Sequence, residues 1–314
     1  MRRFWWMVIA VVVLAAAGAG YEVYTRAPAT NLTQLGGHPT KPAGPQQPPD
    51  TLLLMGIDQR PGWTIKESRT DVMIVLHVDA RTGRLSLLSM PRDTQVDLGK
   101  YGKQKLNAAF PYGGPDLAMA TVGSIIHQPI HYYAYTTFNG LVDIVNALGG
   151  VTVDVPQNMY YRASDVSINL RAGRQHLDGT QVLELVRFRE FALGDIRREK
   201  DQEMVLRSLF EEARGAGTIL RLPVLLPTLY RETTTNLTLS QVTAFGNDLR
   251  KAKSMSNAVL PGAFLNQNGL SYWYVDPTDA PLYWRKLLAG EEPKSVFDPA
   301  AQAEVQDMAS ATTK

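Results

Sequence analysis

The sequence contains no cysteine and only five histidines among its 314 residues. The lack of cysteine excludes disulfide bonds, a thiol nucleophile and thiolate metal ligands. None of the histidines follows the spacing of a metal-binding motif, and His77, which stands between apolar residues, is expected to pack in the core. The motifs G-x-x-x-x-G-K-[S/T], G-x-G-x-x-G, H-E-x-x-H and G-x-S-x-G are absent as well. None of these motifs therefore assigns the chemistry of the protein.

The chain also lacks a strong excess of charge of either sign. Its formal net charge is +2, with 20% charged and 45% hydrophobic residues. A nearly neutral protein is a poor candidate for broad electrostatic binding to nucleic acid. Length and composition fit a globular protein with one large domain or two smaller ones.

An apolar N-terminal run is the longest hydrophobic segment of the chain. Arg2 and Arg3 precede an uncharged stretch that reaches Tyr21, and roughly 20 apolar residues span a bilayer core. We predict a transmembrane anchor over residues 1–26, in a single-pass protein of the cell membrane with its body outside the cytoplasm. A cleaved signal peptide is the alternative, because Ala-Gly-Ala at 17–19 resembles a cleavage site.

Composition divides the rest of the chain into three parts. Residues 27–50 are rich in proline, glycine, glutamine and threonine, which predicts an extended linker. Residues 51–290 alternate apolar and polar patterns and are expected to form the folded domain. Residues 291–314 are predicted to be a disordered tail.

The folded part begins with two strand-like runs, "TLLLMGID" and "DVMIVLHVD". The second is apolar on both faces, which is typical of a strand covered on both sides. A glycine turn joins it to "RTGRLSLLSMP", so these strands should form a hairpin. Helical and strand patterns then alternate, with a helix capped by Asp178 and Gln181 and a later hairpin at Asn268-Gly269. We predict an α/β fold in which a mixed central sheet is flanked by helices, an α/β/α sandwich.

Charged residues stand at the ends of these apolar elements. Asp58 follows the first strand, Arg69 and Asp71 begin the second, and Arg92 follows the third. Because the start of one hairpin strand neighbours the end of the next, Asp71 and Arg92 should lie at the same edge of the sheet. Further along the chain, Arg189 continues the apolar face of one predicted helix, and Arg198 and Gln202 continue that of the next. Arg187 stands close to Arg189 in the sequence.

Such a set of arginines and carboxylates favours a phosphorylated ligand. Guanidinium groups bind phosphate oxygens in pairs. The carboxylates of Asp58 and Asp71 are hard oxygen ligands, which suit Mg²⁺ together with substrate phosphate. The alternative is that the arginines and aspartates form ion pairs that only tie loops to the sheet.

The sequence resembles the LytR-CpsA-Psr family. The resemblance is clearest from Thr51 to Gly215 and weaker to about Leu288. It is carried by seven motifs in order: "LLLMGIDQR", "SRTDVMIVLHVD", "LLSMPRDTQV", "KLNAAFPYGG", "VNALGGVTVDVP", "LDGTQVLELVRFRE" and "GDIRREKDQ".

The resemblance implies an enzyme that transfers a phosphate-linked glycopolymer, such as a teichoic acid, from undecaprenyl pyrophosphate to peptidoglycan, with a pyrophosphatase side activity. It implies that Asp58 and Asp71 bind Mg²⁺, with Mn²⁺ left open, and that the prenyl chain enters an apolar tunnel between sheet and helices. The residues implied to hold the pyrophosphate are Arg69, Arg92, Arg187, Arg189, Arg198 and Gln202. Of all these, Arg69, Asp71, Arg92 and Arg189 are expected to be catalytic.

Two points stay open at the level of sequence. The family often reads R-x-x-R-Q, whereas Asp201 precedes Gln202 here, which reduces the positive charge at that position. The base that accepts the proton of the incoming hydroxyl is not assigned, and Asp93 is only a weak candidate.

A non-catalytic protein that binds polyprenyl phosphate or the cell wall is the alternative function. A transcriptional attenuator is disfavoured by the near-neutral charge and by the lack of a helix-turn-helix pattern.

Overall fold

A computed structural model describes residues 50–312 except 60–61, 156, 163–166, 188–215, 268 and 293–294. The chain divides into two compact units. The middle unit comprises Ala134–Lys251, and the split unit comprises Asp50–Tyr133 together with the segment that begins at Ala252. The domain predicted over residues 51–290 therefore contains parts of both units.

Strands and helices alternate along the described residues. The strands are β1 (Thr51–Asp58), β2 (Arg69–Asp79), β3 (Arg84–Ser89), β4 (Gln95–Asp97), β5 (Lys103–Lys105), β6 (Tyr133–Thr137), β7 (Val151–Val155), β8 (Met159–Arg162), β9 (Ser167–Leu170), β10 (Gly173–Leu177), β11 (Thr233–Thr235), β12 (Ser254–Val259), β13 (Ala263–Gln267) and β14 (Leu270–Tyr274). The α-helices are α1 (Ala109–Ile126), α2 (Phe138–Leu148), α3 (Gly179–Arg187), α4 (Ala216–Glu232), α5 (Leu239–Arg250), α6 (Ala280–Ala289) and α7 (Pro299–Thr312).

The core of the split unit is a mixed sheet in which β1, β2, β3 and β12 lie side by side in that order. The first three strands pair antiparallel, and β12 pairs parallel to β3. Residues Thr70–Leu76 of β2 are all buried, as expected for a strand that is covered on both faces. The predicted hairpin of β2 and β3 is confirmed, and so is the later hairpin, formed by β13 and β14.

Helices α1 and α6 pack on one face of this sheet. In α6, the buried Trp284 meets the ring of His77 on β2 edge-on, with ring centroids 6.2 Å apart. The Trp284 Nε1–H also donates to Gln128 Oε1 over 2.6 Å, just beyond the end of α1. On β3, the Ser86 hydroxyl donates to the carbonyl oxygen of Leu287 over 3.3 Å. A mixed sheet flanked by helices is thus confirmed.

The middle unit combines helices with small antiparallel pairs of strands, which are β6 with β11, β7 with β10, and β8 with β9. Helix α2 ends at Leu148, and the following Gly149 caps it with a positive φ of 94°, which suits glycine. The predicted capping of α3 is confirmed, because Asp178 Oδ1 accepts from the Gln181 N–H and Gln181 Oε1 accepts from the Asp178 N–H.

The C-terminal end differs from the sequence prediction of a disordered tail. Helix α7 begins at Pro299, and the preceding Asp298 is buried and accepts the Ala300 N–H through Oδ1 over 3.0 Å. An aspartate cap followed by proline at the first helical position is a strong start signal. Burial of Ala301 then gives the helix a contact with the folded body.

The membrane prediction concerns residues 1–26, which lie outside the described part of the chain. Among the residues that the structure describes, no helix has the length and apolar character needed to cross a bilayer.

Candidate active site

Asp71 stands at an irregularity in the pairing of β1 with β2. Gly56 pairs with Val72 and Ile57 pairs with Thr70, so Asp71 is an extra residue of β2 that lies between these two pairs. An extra residue of this kind forms a β-bulge, which bends the strand and changes the direction of a side chain. The Asp71 residue is only 5% exposed. The fold therefore buries a carboxylate near the start of β2.

Arg92 supplies the counter-charge to this carboxylate. Ile74 pairs with Ser89 in the hairpin of β2 and β3, so the same register brings the residues after β3 level with Asp71. The Arg92 Nη1–H donates to Asp71 Oδ1 over 2.8 Å. The prediction that Asp71 and Arg92 meet at one edge of the sheet is confirmed.

A second carboxylate, that of Asp93, also lies close to the Arg92 guanidinium. Asp93 Oδ2 lies 3.6 Å from Arg92 Nε, and Asp93 Oδ1 lies 3.2 Å from Lys105 Nζ. Burial alone would lower the pKa of Arg92, but its hydrogen bond and charge pairing with Asp71, with the charge of Asp93, raise the pKa above its usual value. Arg92 therefore stays charged while about a third of its side chain remains exposed.

Asp58 and Arg69 form the last pair in the register of β1 with β2. Asp58 is the last residue of β1, and Arg69 is the first residue of β2. Asp58 is half-buried and Arg69 is exposed. Opposite charges at directly paired positions stabilise an antiparallel pair of strands. The four predicted residues Asp58, Arg69, Asp71 and Arg92 thus gather at one edge of the split unit's sheet.

The side chains of the site residues predicted farther along the chain lie outside the described part of the structure. Arg187 is the last residue of α3, and its side chain lies outside the description. Arg189, Arg198, Asp201 and Gln202 also fall outside the described residues. Their predicted contacts with pyrophosphate remain predictions.

The oxygen donors at this edge fit a small, hard cation. Mg²⁺ is commonly bound by one or two carboxylates, with water and substrate phosphate filling its other positions. Asp58 and Asp71 provide such a pair. The described residues hold no cluster of three or more histidine, aspartate or glutamate side chains arranged for a metal, so a cation here would rely on two carboxylates and ligands of another kind.

Asn107 is a polar residue of this region that sequence reasoning missed. It lies in a short 3₁₀ turn, Leu106–Ala108, and its N–H donates to the carbonyl oxygen of Arg92 over 3.1 Å. It is 5% exposed, and its Oδ1 has no hydrogen-bond partner within the described part of the chain. The available signal was its place in "KLNAAFPYGG", a motif that already supported the family resemblance.

The chain is similar to known proteins over most of its length. The family model LytR_cpsA_psr matches residues 19–287. TagU of Enterococcus faecalis, a polyisoprenyl-teichoic acid–peptidoglycan teichoic acid transferase, is 32% identical over 231 residues, which cover 73% of this chain and 75% of TagU.

Solved structures show the same fold. The crystal structure of Bacillus subtilis TagV matches with a TM-score of 0.64 and 27% identity, over 77% of this chain and 98% of TagV. Bacillus subtilis TagT, solved with bound octaprenyl pyrophosphate, matches with a TM-score of 0.57 and 22% identity, over 81% of this chain and 92% of TagT. At that identity the likeness to TagT concerns the fold alone.

Proposed function

Because the chain belongs to the LytR-CpsA-Psr family, we propose that it transfers a phosphate-linked glycopolymer from a polyprenyl-pyrophosphate carrier to peptidoglycan. The relative TagU is named as a transferase of teichoic acid from a polyisoprenyl carrier to peptidoglycan, which supports this proposal. The observation that carries the proposal for this chain is the pair of Arg92 and Asp71, held 2.8 Å apart at the sheet edge.

The proposed reaction is a displacement at phosphorus. The oxygen of a peptidoglycan hydroxyl forms a bond to the phosphorus that carries the glycopolymer. The bond between that phosphorus and the bridging oxygen breaks, and polyprenyl phosphate leaves with the electron pair. The hydroxyl proton passes to a base that is still unassigned. With water in place of the hydroxyl, the same step would be the pyrophosphatase side activity.

Such a step requires charge neutralisation more than covalent help from the protein. The Arg92 guanidinium is suited to this task, because it remains charged and partly exposed while Asp71 and Asp93 hold it in place. A fixed cation directed at phosphate oxygens stabilises the negative charge that spreads over them in the transition state. Arg69, at the same edge, would supply a second positive charge.

Asp58 and Asp71 would hold Mg²⁺, or Mn²⁺ in its place. The cation would supply Lewis acidity toward phosphate oxygens. We further propose that Arg187, Arg189, Arg198 and Gln202 contact the pyrophosphate, and that Asp201 weakens this grip in comparison with an arginine. The enzyme would be anchored by residues 1–26 and act on the outer side of the membrane, where the lipid carrier presents its pyrophosphate.

The test uses the full chain in detergent with undecaprenyl pyrophosphate linked to a short glycan, a peptidoglycan acceptor, and Mg²⁺ present or absent. Release of undecaprenyl phosphate is measured. Arg92→Ala should lower turnover on the order of a hundredfold, and Arg189→Ala should also lose most turnover. The matched control is Arg231→Ala, an exposed arginine that is ion-paired with Glu232 in the middle unit; it should keep wild-type turnover.

The outcomes separate the alternatives. Wild-type turnover in Arg92→Ala would refute the assignment of the site. Binding of the lipid by the wild type without any release, whether Mg²⁺ is present or not, would favour the non-catalytic lipid-binding function.

A further inference from the structure

The segment that carries Asn107 is fastened to the residues that follow β3. The Leu106 N–H donates to the carbonyl oxygen of Thr94 over 2.8 Å, and the Asn107 N–H donates to that of Arg92 over 3.1 Å. Lys105 Nζ adds the ion pair with Asp93 at 3.2 Å. Asn107 is therefore held directly beside the residue that binds Asp71.

The Asn107 side chain is buried, and its carbonyl oxygen finds no hydrogen-bond donor among the residues that the structure describes. The residue is 5% exposed, and within the described part of the chain Oδ1 has no hydrogen-bond partner. An unpaired oxygen in the interior is unfavourable, and native proteins rarely retain one unless another group binds it. Thr70, the neighbour of Asp71 in β2, presents a second such oxygen, because its Oγ1 is fully buried and also unpaired among the described residues.

The chemistry of an amide oxygen restricts what can satisfy it. A carbonyl oxygen only accepts hydrogen bonds, so a phosphate oxygen, which is also an acceptor, is not a suitable partner. A cation, or a water molecule bound to a cation, is suitable. Amide carbonyls are among the oxygen ligands of hard divalent cations, and the carboxylates of Asp58 and Asp71 lie at the same edge of the sheet.

We propose that Asn107 contributes a neutral oxygen to a divalent-cation site formed with Asp58 and Asp71, either as a direct ligand or through a water molecule on the cation. The inference deepens the proposed function and rests on its assignment of the metal. It explains why an asparagine beside Arg92 is buried with no partner for its Oδ1 among the described residues.

The experiment measures Mn²⁺ binding to the full chain in detergent by the electron paramagnetic resonance signal of free Mn²⁺, without lipid or turnover. Asn107→Ala should weaken Mn²⁺ binding on the order of tenfold, as loss of a supporting ligand does at other metal sites. Asn107→Asp should strengthen it, because a carboxylate replaces a neutral oxygen close to the cation.

A matched control is available in the middle unit. Asn247 on α5 also has a buried Oδ1 with no partner in the described part of the chain. Asn247→Ala and Asn247→Asp should leave Mn²⁺ affinity at the wild-type value. Far-ultraviolet circular dichroism checks that each variant is folded, and if Asn107→Ala does not fold, the binding measured for Asn107→Asp decides the matter.

Unchanged or weaker Mn²⁺ binding in Asn107→Asp, or unchanged binding in Asn107→Ala, would overturn the inference. So would a wild-type chain that does not bind Mn²⁺. The proposed function is judged separately, by release of undecaprenyl phosphate from wild-type enzyme, and it would survive normal turnover together with Asn107 variants that bind Mn²⁺ normally.

Discussion

Polar side chains lie at both ends of strand β2, but the two ends differ in how far these side chains are hydrogen-bonded. At one end, which we name the closed end, His77, Thr51, Gln128 and Trp284 bind one another. At the other end, which we name the open end, Asp71 forms an ion pair with Arg92. Thr70 and Asn107 lie beside these two residues, and their side-chain oxygens lack partners among the described residues. The closed end is complete without a ligand, whereas the open end has positions that a ligand could fill.

The closed end is a continuous chain of hydrogen bonds. The Trp284 Nε1–H donates to Gln128 Oε1, which fixes the amide so that Gln128 Nε2 donates to the Thr51 hydroxyl over 3.0 Å. The Thr51 hydroxyl then has its proton left for His77 Nδ1, 2.9 Å away. Each polar atom named here has a protein partner, which is the ordinary condition of a buried polar network.

Matched aspartates at the two ends provide the strongest test of this comparison. Asp71→Asn keeps the shape of the side chain and removes its charge, so it should lower turnover by about 10²–10³-fold. Asp79→Asn, at the other end of β2, should leave turnover unchanged, because Asp79 accepts the backbone N–H groups of Arg81 and Thr82 in a turn away from the open end. Initial rates of undecaprenyl phosphate release measure both. Equal losses in the two variants would mean that the ends do not differ in function.

Trp284→Phe should affect stability and spare activity. The substitution keeps most of the buried ring but removes the N–H that satisfies Gln128 Oε1. Leaving that oxygen unpaired should lower the free energy of unfolding by about 1–3 kcal/mol, as measured by urea denaturation. Turnover per folded molecule should stay at the wild-type value, and a large loss of turnover in folded protein would show that the closed end takes part in catalysis.

His77 should make stability depend on pH in the weakly acidic range. Burial lowers the pKa of His77 below its ordinary value of 6.5, against the opposing charges of Asp50 and Asp79. The unfolded chain therefore takes up a proton more readily than the folded one, and the free energy of unfolding should fall as the pH drops below about 6.5. His77→Gln should show a flatter profile between pH 7 and pH 5. A wild-type profile in the variant would assign the pH dependence to other groups.

Local patterns in the sequence were enough to predict that Asp71 and Arg92 meet at the open end, but not the other features of that end. The glycine turn and the apolar runs of β2 and β3 predict a hairpin, and a hairpin brings Asp71 and Arg92 together whatever the rest of the chain does. The bulge at Asp71 was not predictable, because it depends on the register with β1 and leaves no local mark in the sequence. Asn107 was missed for a similar reason, since burial of its side chain is a tertiary property.

Longer-range features were harder to predict. The parallel pairing of β12 with β3 joins residues about 170 positions apart, and no local pattern encodes it. Pro223 and Pro227 are unfavourable residues for a helix, yet α4 continues through both of them from Ala216 to Glu232. Proline disfavours a helix interior, but packing can outweigh a local preference. The α7 helix was missed because its signal, an aspartate followed by proline, is short and the segment has little apolar character.

A crystal structure of the full chain with Mn²⁺ and undecaprenyl pyrophosphate would test the central claim most directly. The claim is that the edge formed by Asp58, Asp71 and Arg92 seats a lipid pyrophosphate together with a divalent cation. The expected result is an anomalous peak for Mn²⁺ in contact with the Asp58 and Asp71 carboxylates, and a phosphate oxygen within hydrogen-bond distance of Arg92. Mn²⁺ and pyrophosphate bound elsewhere, with these three side chains unchanged and uncontacted, would contradict the account.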